Sequence, residues 1–67
     1  MKRILSEYTS EKSVLMTARV CESDGSFFIE YTKNGDVFKT EAFPGKSLYY
    51  VESAAENWAT GIKVLNG

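Results

Sequence analysis

The stretch that decides the fold is Val20-Cys21-Glu22-Ser23-Asp24-Gly25-Ser26-Phe27-Phe28-Ile29-Glu30-Tyr31-Thr32-Lys33-Asn34-Gly35-Asp36-Val37-Phe38-Lys39. It contains two turn dipeptides, Asp24-Gly25 and Asn34-Gly35. Each favours the positive φ angles of a two-residue type I′ hairpin turn, and each lies between β-rich runs. Those runs are Val14 to Glu22, Phe27 to Thr32 and Val37 to Phe43. A two-residue turn at Asn34-Gly35 sets Lys33 opposite Asp36, Tyr31 opposite Phe38, Glu30 opposite Lys39 and Phe28 opposite Glu41. A second at Asp24-Gly25 sets Val20 opposite Ile29, Ala18 opposite Tyr31 and Arg19 opposite Glu30. The two turns are placed independently, yet they yield one consistent sheet.

One face of that sheet collects Val14, Met16, Ala18, Val20, Phe27, Ile29, Tyr31, Phe38 and Ala42. The other carries an alternating charge row, Arg19–Glu30–Lys39, beside Thr17, Thr32 and Val37. Cross-strand pairs of this kind contribute about 0.2–1 kcal/mol each. A one-residue slip would exchange the faces, so the apolar face itself pins the register.

Downstream, Phe43-Pro44-Gly45 breaks the strand pattern, because proline has no N–H for a ladder. Ser47 offers a hydroxyl as a helix N-cap. Leu48, Val51, Ala55, Trp58 and Ile62 follow at spacings of three and four, the apolar stripe of an amphipathic helix. Gly61 is the expected C-cap, with Ile62 folding back beyond it. The alternative is a helix continuing through Gly61 to Leu65, at about 1 kcal/mol for an interior glycine.

Upstream, Lys2 to Tyr8 reads as a strand hairpinned to Val14–Glu22, with a short helix as the alternative. A two- or four-residue loop would turn Leu5 inward. A three-residue loop would turn Ile4 and Tyr8 inward and bury more apolar surface, which favours it. A lone sheet face needs a cover, and the one helix supplies it. The expected fold is α+β over residues 1–67 as one domain: a three- or four-stranded antiparallel β-meander packed by one C-terminal helix.

Composition narrows the chemistry. The 67 residues include four Phe, four Tyr, one Trp and one Pro, which argues against disorder. A single Cys precludes an intramolecular disulfide, and the absence of His removes the commonest zinc ligand and general base. Gly25, Gly35, Gly45 and Gly61 are isolated, and none opens a phosphate-binding loop. No cofactor, metal or catalytic residue is therefore expected, and the chain does not read as an enzyme. Met1-Lys2-Arg3-Ile4-Leu5-Ser6-Glu7 has two cations but no apolar run of signal-peptide length, and no stretch approaches the roughly 20 apolar residues of a membrane span. With one unpaired thiol this points to a cytoplasmic chain without membrane contact.

Individual candidates divide between structure and function. Glu30 and Glu41 share the outer face in this register, and Glu52 and Glu56 sit one helical turn apart. A solvated surface explains both pairs better than acid–base chemistry, since these positions oppose the apolar face. Cys21, beside Phe28, reads as a small hydrophobe rather than a reactive thiol, and Trp58 as the plug between helix and sheet. Tyr49 is expected to be more exposed than Tyr50. Phe28 has the least structural excuse. With Leu15, Val37 and Cys21 near it on the polar side, it resembles a contact patch.

That patch, Leu15, Phe28 and Val37 rimmed by Arg19, Glu30 and Lys39, is the candidate interaction surface. Its expected partner is a protein, either a host or viral factor or a second copy of the chain. The alternative is nucleic acid held by Arg19, Lys33, Lys39 and Phe28. Three-stranded, one-helix DNA-binding domains share this layout, but they place many arginines on the sheet. Here there is one, with Glu30 and Glu41 among the cations, and a net charge of -1 supplies no basic excess.

The stretch Thr40-Glu41-Ala42-Phe43-Pro44-Gly45-Lys46-Ser47-Leu48 and the helix segment Val51-Glu52-Ser53-Ala54-Ala55-Glu56-Asn57-Trp58, ending at Gly61, resemble the C-terminal part of short uncharacterised proteins of marine cyanobacterial phages. Those run as a strand, an E-x-F-x-G-x-S connection and a V-E-x-A-A-E-N-W helix. The resemblance covers about a third of the chain clearly and carries no activity. It implies a viral accessory protein acting in a host-cell cytoplasm.

Overall fold

A computed structural model describes residues 1–61. Four strands, β1 (Lys2–Thr9), β2 (Met16–Ser23), β3 (Ser26–Lys33) and β4 (Asp36–Ala42), precede one helix, α1 (Leu48–Ala59). The strands form one antiparallel meander in the order β1-β2-β3-β4. The fold is thus α+β, with the N-terminal segment a full strand.

Both hairpin turns form as the dipeptides dictate. Asp24 and Gly25 have φ of 53° and 82°, and Asn34 and Gly35 have 55° and 85°. Positive φ at both central residues is the type I′ signature, which matches the twist of the flanking strands. The first turn is also held by Glu22, whose carboxylate accepts hydrogen bonds from Gly25 N–H at 2.9 Å and Arg3 Nε at 3.2 Å. These donors hold its carboxyl below the usual glutamate range.

The β2–β3 register is the expected one: Val20 faces Ile29, Ala18 faces Tyr31 and Arg19 faces Glu30. β2 begins later than expected, at Met16, so Val14 lies before the strand and is 83% exposed rather than inward. The β3–β4 pairing starts correctly with Lys33 opposite Asp36 and Thr32 opposite Val37, then shifts. Phe38 is an extra residue, a β-bulge, so Tyr31 faces Lys39, Glu30 faces Thr40 and Phe28 faces Ala42. Beyond the bulge every residue of β4 is on the face opposite to the expected one. Phe38 and Ala42 leave the helix side, while Lys39 and Glu41 join it.

The physical reason lies in Tyr31. Its side chain is buried, and a buried hydroxyl without a partner costs about 1–3 kcal/mol. The bulge brings Glu41 to it: Tyr31 Oη donates to Glu41 Oε1 at 3.0 Å. Lys39 Nζ lies 5.5 Å from the centroid of the Tyr31 ring, a cation–π contact. In an unbulged register both groups would be on the other face.

A second bulge, between Ile4 and Ser6, divides β1. Ile4 pairs with Cys21 on the outer face, whereas Tyr8 pairs with Ala18 on the helix face. The expectation that Ile4 and Tyr8 both turn inward across a three-residue loop is therefore corrected. The connection is longer, and the bulge changes the face midway. Ser6 then reaches the helix, where its hydroxyl donates to Glu52 Oε2 at 2.6 Å.

Helix α1 begins at Ser47, whose Oγ accepts from Tyr50 N–H at 3.2 Å. Phe43-Pro44-Gly45-Lys46 turns the chain into it, closed by Lys46 N–H donating to Phe43 O. The helix ends at Ala59. Gly61 has φ of 86° and its N–H donates to Trp58 O, so the chain is capped there rather than continuing. The expected contact of Ile62 lies outside the described residues.

Val51 and Ala55 are buried against Ala18, Val20, Ile29 and Tyr31, with Tyr8, Phe27, Phe43, Leu48, Ala54 and Trp58 closing the margin of this core, and Ala59 is buried at the end of the helix. The Trp58 and Tyr31 rings meet at 5.1 Å between centroids, so Trp58 is the plug its spacing predicts. Tyr50 packs edge-on to Phe43, while Tyr49 is 80% exposed. The helix covers β1, β2 and β3, and among the described residues no Cα atom of α1 comes within 8 Å of one in β4. All seven residues of β4 are exposed.

Two outcomes follow. Ile29→Ala should lower unfolding free energy by about 2–5 kcal/mol in urea titrations followed by circular dichroism, whereas Phe38→Ala should cost under about 1 kcal/mol. Tyr31 supplies a pH dependence. Burial, then the Glu41 hydrogen bond and charge, raise its phenol above the ordinary 10.0. The fold favours the neutral form, so this stability is complete below pH about 10 and is lost as pH rises further. Tyr31→Phe should flatten that alkaline loss.

Candidate interaction surface

On the side of the sheet away from α1, the pairings arrange side chains into rows that run across the strands. Lys2, Ser23 and Ser26 form the first. Ile4, Cys21, Phe28 and Ala42 form an apolar row, and Glu7, Arg19, Glu30 and Thr40 a polar one. Thr9, Thr17, Thr32 and Val37 form the last. Alternation from Ala42 back through Thr40 places Phe38 on this side too, next to Val37.

The apolar row is graded from covered centre to open ends. Cys21 is buried, Phe28 is half-buried, and Ile4 is 50% exposed at the β1 end. Near the β4 hairpin, Val37 is 47% and Phe38 54% exposed, and Leu15, just before β2, is 54% exposed. Leu15 is held there by its carbonyl, which accepts from Asn34 N–H at 2.9 Å.

The charges beside this row are largely engaged with each other. Lys2 Nζ reaches over the apolar row to Glu30, at 3.0 and 3.2 Å from its two oxygens. Arg19 Nε lies 3.9 Å from Glu7 Oε2 and makes no hydrogen bond among the described residues. Thr17 and Thr32 share a hydroxyl–hydroxyl bond of 2.6 Å. Each of the two ion pairs keeps one partner open to water, so each is worth little for stability, typically about 0–1 kcal/mol. They do balance the charge of the face.

Of the residues singled out by sequence, Leu15, Arg19, Phe28, Glu30 and Val37 are placed on or beside this face. Lys39 is not: the β4 bulge turns it to the opposite side, over Tyr31. The same shift separates Glu41 from Glu30, so the expected carboxylate pair on one face does not exist. Sequence reading missed Lys2, Ile4 and Phe38 as members of the face. Only the two bulges put Ile4 and Phe38 there, and periodicity carries no sign of a bulge.

Cys21 sits on the central strand β2, not at an edge. Burial pushes its thiol above the ordinary 9.0 and Glu30 adds to this, against the opposing pull of Lys2 and Arg19. Its Sγ contacts Arg19 O at 3.6 Å. This is the environment of an inert thiol. Elsewhere, a cleft of about 160 Å³ on α1 is lined by Tyr50, Ser53, Ala54 and Asn57, well below the roughly 300–1,000 Å³ of small-molecule sites. Among the described residues no three His, Cys, Asp or Glu side chains gather as a metal-holding group. Nor is any described helix long and apolar enough to cross a membrane.

Modification of Cys21 by a disulfide reagent in the native protein at pH 8 should be at least about tenfold slower than in denaturant, because it must await opening of the sheet. Comparable rates would contradict the buried placement. Compared with family models, curated proteins and solved structures, the chain matches none of them.

Proposed function

We propose that the chain is a protein-binding module with no catalytic role, which docks a partner on the outer face of its sheet and along the adjoining β4. The observation that carries this reading is the apolar row Ile4–Cys21–Phe28–Ala42, with Val37 and Phe38 exposed on the same face beyond the polar row of Thr40. It lies on the side that α1 leaves open and is bordered by a charge-balanced row. Apolar anchors within a polar rim are the usual anatomy of a protein contact. The resemblance of residues 40–61 to phage proteins fits a viral accessory role, with the partner met in the cytoplasm of the infected cell.

Nucleic acid suits the same face less well. Lys2 is paired with Glu30, Arg19 lies beside Glu7, and Lys39 points to the other side. A surface whose cations are already neutralised releases few counterions from a phosphate backbone.

The test is capture on the tagged protein from lysate of the cells that naturally contain it, with and without nuclease. A partner retained after nuclease treatment, and lost with Phe28→Asp and with the milder Ile4→Ser, is the expected result. Both variants are to be checked for native circular dichroism. Retention that depends on nucleic acid, or that ignores both substitutions, would reject the reading.

A further inference from the structure

Among the described residues β4 is an open edge with a self-complementary charge pattern, and we propose that its partner is β4 of a second copy of this chain. Two copies would join antiparallel about a two-fold axis at Thr40, giving one eight-stranded sheet. This rests on reading the β4 side as a contact surface and names the occupant of its edge.

The register follows from pairing rules. In an antiparallel pair related by a two-fold axis, opposed residues project on the same face, so the residue at the centre must oppose its own copy and not that of its neighbour. Centred on Lys39, the pairing sets two lysines against each other; centred on Glu41, it sets two glutamates together. Like charges directly opposite are destabilising. Centred on Thr40, it sets Lys39 opposite Glu41 of the second copy, and does so twice. Both residues are on the helix side of β4, where α1 does not reach among the described residues. Glu41 uses Oε1 for the Tyr31 hydroxyl, which leaves the other carboxylate oxygen to face a cation.

The same register works on the other face. Phe38 falls opposite Ala42 of the second copy, so the row Ile4–Cys21–Phe28–Ala42 runs across the seam into a second Phe38, which is 54% exposed in the single chain. Charges on an edge strand ordinarily prevent edge pairing. Here they disfavour the two neighbouring registers, centred on Lys39 and Glu41, and favour the one centred on Thr40.

The opposite edge lacks this property. The β1 bulge puts Arg3 on the side of Glu22 and Glu7 on the side of Arg19, so these two charges do not meet across a self-paired β1. They, and Lys2, already have partners within the chain.

Sedimentation velocity from micromolar to millimolar chain concentration tests the proposal. The chain should dimerise, more weakly at high salt because exposed pairs are screened. Lys39→Glu alone and Glu41→Lys alone should each raise the concentration for half-dimerisation by about tenfold or more. Mixing these two variants should restore association, since every opposed pair is then Glu against Lys; a folding defect in either would not be cured by mixing. A chain that stays monomeric, or singles that do not recombine, would overturn the self-pairing. If a monomeric chain still loses a captured partner with Phe28→Asp, self-pairing alone fails and the contact face stands. If association ignores the charge variants but is lost with Phe28→Asp, copies meet through the face and the β4 register is wrong.

Discussion

The width of one helix sets the terms for the rest of this structure. An α-helix with its side chains is roughly 10–12 Å across, whereas four strands at about 4.8 Å spacing place the outer two some 14 Å apart. With a single helix, the sheet cannot be covered from edge to edge. Here α1 lies over β1, β2 and β3, and Val51 and Ala55 close on Ala18, Val20, Ile29 and Tyr31. Among the described residues the fourth strand is left bare on the helix side, and the outer face is left without a second layer. An apolar side chain on β4 therefore gains little by pointing toward the helix side.

That constraint explains why the β4 bulge is tolerated. In a fully covered sheet, moving Phe38 off the core face would lose about 1.5–3 kcal/mol of burial. Here no cover is present to be lost. The shift gains an acceptor for the Tyr31 hydroxyl and a cation over its ring, interactions worth about 0.5–1.5 kcal/mol each. Two groups of modest individual energy decide the register because the competing term is nearly absent. A consequence on the other side is that β4 presents Val37, Phe38 and Ala42 there, with Lys39 and Glu41 turned away. The β1 bulge acts in the same sense at the opposite end, bringing Ile4 to the row while keeping Tyr8 in the core.

The proposed contact role of the outer face agrees with the state of its reactive groups. Its nucleophile is buried and held protonated, and its carboxylates are spread over two faces or neutralised by neighbours. Its open apolar positions lie at the two ends of a row whose centre is closed. A small domain buries only about 60% of its unfolded surface, so such remnants are expected; their alignment into one row is not.

The local chemistry of the sequence determined both I′ turns, the β2–β3 register, the Ser47 cap, the Gly61 stop and the helix stripe, because each depends on dihedral preference or periodicity within a few residues. Leu15, Arg19, Phe28, Glu30 and Val37 were legible as neighbours for the same reason: they follow from the two turns before any bulge intervenes. The face of Lys39, Glu41, Phe38 and Ala42, and the split of Ile4 from Tyr8, were decided only by tertiary structure. A bulge adds one residue without changing composition or spacing. It is chosen by which side of the sheet is covered and by whether the Tyr31 hydroxyl finds an acceptor there.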